Sequence, residues 1–140
     1  MNKEANKLLK DHGLEHRTIL WRADVQPEKC EIGKNYFDCG FTNKYASDAL
    51  SGDKSNPMMI QDYWCYDVNQ YYTYNQLVAL INAAIENNGW LVIFTRNNYL
   101  DEKQIDIYRQ AFEYAKEHNV AVVTASEGYD LYYGNKLGNH

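Results

Sequence analysis

The densest group of reactive side chains is Asp62-Tyr63-Trp64-Cys65-Tyr66-Asp67. Two carboxylates flank a run of aromatic rings. Opposed carboxylates do acid–base work, and aromatic faces stack on sugar rings. The structural alternative is an exposed aromatic loop with solvated Asp residues. Arg96 is the second point of interest, because it ends an apolar run in Thr95-Arg96-Asn97-Asn98. A guanidinium there suits bidentate capture of a carboxylate or phosphate. A salt bridge to Asp62, Asp67 or Asp101 serves it equally well. The catalytic candidates are therefore Asp62, Asp67 and Arg96. The candidate ligand face is Trp21, Trp64, Tyr66, Asp67 and Arg96.

Other reactive residues carry weaker signals. His12 and His16 have the i, i+4 spacing of a helical metal pair, but Gly13 between them reads as a helix terminator and no third ligand stands nearby. No metal site and no cofactor are expected. His118 sits at a helix C-terminus, where the dipole favours an imidazolium. Cys30, Cys39 and Cys65 form neither a C-x-x-C pair nor a zinc-ribbon spacing, and read as free thiols. No phosphate loop, nucleophile elbow or H-E-x-x-H motif occurs.

Composition narrows the partners. The chain has 140 residues and a net charge of −5. Its pI is near 5.3, which argues against a general nucleic-acid binder. No apolar run reaches the roughly 18 residues of a membrane span, and no signal peptide is recognisable. No membrane partner is expected, and the free thiols suggest cytoplasmic synthesis, with a virion as the alternative destination. The bias is aromatic, with 13 Tyr, 3 Trp and 4 Phe. A carbohydrate or cell-surface glycan is the expected ligand class, although most Tyr suit a core or its edge.

Strands and helices must position these groups. Helical spacing runs through Ala5, Leu8, Leu9 and His12 to Gly13. Thr18–Trp21 and Cys39–Thr42 read as short strands, with Pro27 opening a helix between them. Residues 43–57 read as an irregular loop with a helical turn near 45–50. Met58 to about Tyr63 reads as a strand. Thr73 and Gln76 are spaced as a capping box ahead of Leu77, Leu80, Ile81, Ala84 and Ile85, a helix ended by Gly89. Trp90–Thr95 reads as a strand covered on both faces. Asp101 and Gln104 cap a helix to about His118. Residues 120–123 read as a short buried strand, and Thr124 with Glu127 caps a last helix.

This alternation predicts one α/β domain over residues 1–140, with a mainly parallel sheet of four to five strands. Ligands gather at the C-terminal ends of such strands. The segments to search are 21–26, 62–72, 95–99 and 124–127.

The run from Leu80 through Asn88-Gly89-Trp90 to Thr95 resembles the last third of NodB-like polysaccharide deacetylases, where a helix leads through Gly-Trp into a strand ending in Thr-His. Val120–Thr124 with Ser126-Glu127 resembles that family's closing unit. Leu8–Leu14 resembles the helix before its third motif, and the divergent phage tail and surface versions are the most similar. The resemblance covers about residues 73–135 well and the rest by order and spacing. It implies half of a (β/α) barrel, since a whole one takes about 250 residues. The family's Asp-Asp and His-x-x-x-His motifs, which supply metal ligands and base, lie in the half this chain lacks. The closing catalytic His corresponds to Arg96, and Trp21-Arg22-Ala23-Asp24 does not match the Arg-Pro motif. His12 and His16 fall in the wrong segment.

The expected function is a deacetylase-like half-domain, phage-derived or surface-related, that binds carbohydrate or serves structure without catalysis. The alternatives are a metal-dependent deacetylase or esterase completed by a second chain, and an assembly module. Half of a barrel leaves two open edges and an apolar inner face, so a homo-oligomer is expected. Helices on both faces of an open sheet would suit a monomer.

Overall fold

The computed structural model describes residues 3–14, 17–21, 25–43, 46–64, 72–95 and 100–134. In order these form α1 (Lys3–Asp11), β1 (Thr18–Leu20), α2 (Pro27–Gly33), β2 (Cys39–Thr42), a 3-10 turn (Ala49–Ser51), β3 (Ile60–Gln61), β4 (Tyr63–Trp64), α3 (Tyr74–Glu86), β5 (Ile93–Phe94), α4 (Glu102–Glu117) and α5 (Ala125–Tyr133). The fold is mixed α/β, and all strand pairings among the described residues are parallel. One sheet has the order β1-β2-β3, and β4 pairs with β5. Only Asp62 separates β3 from β4.

Local chemistry accounts for the helix ends. Thr73 and Gln76 form the expected capping box, as do Thr124 and Glu127. The Asp101 carboxylate accepts the Gln104 N–H at 2.8 Å. Gly13 closes α1 at φ +68, with the Leu14 N–H reaching back to the Leu9 carbonyl. The end of α3 differs from expectation. Asn88, at φ +46, takes the left-handed position, and not Gly89. Gly89 is required for space instead, since a Cβ there would collide with the carbonyls of Ala49 and Leu50.

Strand alternation sends the two faces to different helices. Cys39, Phe41 and Ile60 pack beneath Tyr129 and Tyr132 of α5, with Trp90 and Val92 alongside. Gly40 points the other way, against Trp21 and Met58, in a cluster that holds Cys30 of α2. Leu77 and Ile81 of α3 pack with Tyr108, Ala111 and Ala115 of α4, over Leu91 and Ile93. Helices therefore cover both faces of the strands.

Two predicted strands are corrected. The run 90–95 yields only Ile93–Phe94. Residues 47–49 wedge between β3 and this run. The Gln61 N–H donates to the Ser47 carbonyl, and the Trp90 N–H to the Ala49 carbonyl, so the lower ladder is already taken. Residues 120–123 form no strand. Only Val120 tucks into the α3–α4 cluster, while Val122 is 60% exposed and Val123 40%. Their apolar run predicted burial, but among the described residues no strand lies beside them to bury it.

Candidate functional site

Parallel strands bring their C-terminal ends to one rim, where Trp21, Asp62, Trp64 and Thr95 follow or end the strands. Asp62 is a buried carboxylate between β3 and β4. It is only 3% exposed, and its backbone N–H donates to the Thr42 carbonyl at 3.2 Å. By alternation its side chain shares the face of Phe41 and Ile60. Next to it, the Tyr63 hydroxyl donates to Asp48 Oδ1 at 3.0 Å, and the same oxygen accepts the Leu50 N–H at 3.1 Å. Burial, and then the Asp48 carboxylate, push the Tyr63 phenol up to about 12. Tyr63 is therefore a neutral donor at physiological pH and not a base.

Trp21 has a packing role. Its indole N–H donates to the Met58 carbonyl at 2.7 Å, and its ring lies against Gly33 and Gly40. The Gly40 N–H is meanwhile bonded to the Pro57 carbonyl, so the indole satisfies an oxygen that the β2–β3 ladder passes over. The Trp64 backbone is in register with Phe94 in the β4–β5 pair. Tyr66, Asp67 and Arg96 lie outside the described residues, as do Cys65 and His16. The structure therefore brings Asp62 and the Trp64 backbone to the rim, with Trp21 packed beneath.

The remaining reactive groups have structural surroundings. Cys30 and Cys39 are buried free thiols. Burial drives the Cys39 thiol up to about 12, which suppresses the nucleophilic thiolate. The exposed His118 ring stacks on Tyr114 at 3.9 Å, and its Nδ1 lies 2.8 Å from the Tyr114 carbonyl. Among the described residues no group of three or more His, Cys, Asp or Glu is arranged to hold a metal ion.

Sequence reasoning missed an ionic network among the described residues. Arg17, just before β1, donates Nε to Asp38 at 2.6 Å and both terminal nitrogens to Asp130 at 2.8 and 2.7 Å. Hydrogen bonds from Arg17 hold the Asp130 carboxyl below its ordinary value, and the two carboxylates raise the guanidinium in turn. Arg17 and Asp38 lie at the N-terminal ends of β1 and β2, opposite the rim. This triad fastens α5 rather than forming a site. No local signal marks it, because Arg17 and Asp130 are 113 positions apart.

A cavity of about 290 Å³ lies between α3, α4, residues 89–93 and residues 120–123, lined by Leu77, Ile81, Ala111, Phe112 and Val122 among others. Its walls are mostly apolar, and Tyr108 is the titratable side chain among them. Comparison with family models, with curated proteins and with solved structures finds no match to this chain.

Proposed function

We propose that this chain is a polysaccharide-deacetylase-like unit that binds carbohydrate at the C-terminal rim of its strands and does not itself hydrolyse it. We read β3, Asp62 and β4 as one strand. The strands then follow in chain order, β1, β2, β3–β4 and β5, as an open parallel set covered by helices on both faces. What supports the reading is the position of the aromatic segment. Asp62-Tyr63-Trp64 ends the central strand of a parallel set, where α/β folds collect their ligands. In this reading Trp64 and Tyr66 stack on a sugar ring, Asp67 and Arg96 bond its hydroxyl or acyl groups, and Trp21 supports the rim from below.

Calorimetric titration with chitooligosaccharides and peptidoglycan fragments tests it. Binding is expected, and Trp64→Ala or Arg96→Ala should weaken it at least about tenfold, a loss of about 1.4 kcal/mol. Circular dichroism should stay unchanged. The absence of binding to all of these glycans by the folded chain would overturn the proposal. So would metal-dependent deacetylation by this chain, alone or mixed with a chain carrying the Asp-Asp and His-x-x-x-His motifs.

A further inference from the structure

We infer that the outer stripe of α4 is a docking surface for a second copy of this chain, paired antiparallel. Glu102, Ile105, Arg109, Phe112 and Lys116 are spaced by three, four, three and four residues, so they form one stripe along the helix. All five are exposed. Ile105 is 45% exposed and Phe112 48%, although both are large apolar side chains. They lie on the flank of α4 beside the Gln104, Tyr108, Ala111 and Ala115 face that packs inward, and the Phe112 ring stands 6.3 Å from that of Tyr108.

The order of chemistry along the stripe specifies the partner. It runs acid, apolar, cation, apolar, base. Reversed, that order complements itself. An antiparallel copy sets Ile105 against the partner's Phe112 and Glu102 against the partner's Lys116, and twofold symmetry makes each contact twice. The helix dipoles also oppose favourably in this arrangement. Arg109 falls near the axis, where two guanidinium groups would repel. Each is already paired, since Arg109 donates to Asp106 Oδ1 at 2.9 Å, and Glu113 borders the same side. Across the axis those carboxylates reach the opposite Arg109. The apolar surface also continues past the helix, because Phe112 lines the same crevice as the exposed Val122 and Val123.

Sedimentation equilibrium of the whole chain over a concentration series tests this independently of any glycan. The mass should rise with concentration from 16.4 kDa toward twice that value. Phe112→Lys should raise the dissociation constant at least about tenfold, as burial of a charge in an apolar contact requires. Lys116→Glu should raise it about fivefold, and Glu102→Lys combined with Lys116→Glu should restore it, since exposed ion pairs contribute up to about 1 kcal/mol each. These exposed positions leave the fold intact, which circular dichroism verifies. A monomer mass at every concentration would overturn the inference. So would self-association that ignores both Phe112→Lys and the charge reversal.

Discussion

Gly40 is a central-strand glycine with no turn to make, which usually weakens a strand. Its reason is Trp21. The indole occupies the space where a Cβ would stand, and the Met58 carbonyl closes the other side. The single hydrogen atom at Gly40 therefore lets the Trp21 N–H reach Met58 across the strand. Gly40→Ala should cost more than about 4 kcal/mol, the range reserved for collisions that a core cannot absorb. Urea unfolding followed by Trp fluorescence measures this. Trp21→Leu in the Gly40→Ala background should recover part of the loss, and a lack of any recovery would assign the cost to the backbone. The glycine and the tryptophan were both visible in the sequence, one inside a predicted strand and the other as an aromatic candidate. Their contact was not, since 19 positions separate them and no periodicity links them.

At the scale of elements, α5 is held by a mixture of burial and charge. Tyr129 and Tyr132 cover Cys39, Phe41 and Ile60. Asp130 between them is tied to Arg17, and the Lys54 ammonium donates to the Tyr132 carbonyl at 2.6 Å while lying 4.5 Å from the centre of its ring. The ionic part depends on pH in a known direction. Arg17 stays charged throughout the accessible range. The Asp130 carboxyl is depressed below 3.8 in the folded chain. Its contribution is therefore complete above about pH 4 and is lost as pH falls through the depressed folded value. Asp130→Asn should lower stability at pH 7 and flatten the acid side of the stability–pH curve. Urea titrations of both proteins at pH 7 and pH 3 provide the check, and equal losses at the two pH values would contradict it. The helices themselves were legible in advance, because capping boxes and i, i+4 periodicity act within a few residues. Which sheet face α5 would cover was not legible, because its Tyr-rich turn suits any apolar surface.

Across the whole molecule, order is concentrated where strands have neighbours on both sides. β2 lies between β1 and β3 and is buried at every residue. Residues 121–123 lie at the margin with exposed side chains. Amide exchange should reflect this difference. Phe41 and Ile60 should exchange slowest, through global opening, and Val122 and Val123 much faster, since no strand ladder protects them. Equal protection at the two places, measured at concentrations where the chain is monomeric, would mean that residues 120–123 are paired in solution. At this scale the deacetylase-like reading and the pairing through α4 are separable. The first concerns the rim after β4 and β5, and the second a helix flank.

The sequence by itself determined the mixed α/β character, the helices from α1 to α5 and the three helix caps at Thr73, Asp101 and Thr124. These follow from interactions between residues a few positions apart, which a linear pattern records. Only the tertiary structure decided the rest. It shortened 90–95 to two strand residues, because Ser47 and Ala49 claimed hydrogen bonds on either side. It left 120–123 without a strand, because apolar character shows a need for burial and not whether a neighbour exists. It set the Trp21 indole against Gly40 and the Met58 carbonyl, and it joined Arg17 to Asp130. Each of these depends on which distant backbone group or side chain arrives first at a hydrogen-bonding or apolar surface, and that is a property of the folded chain alone.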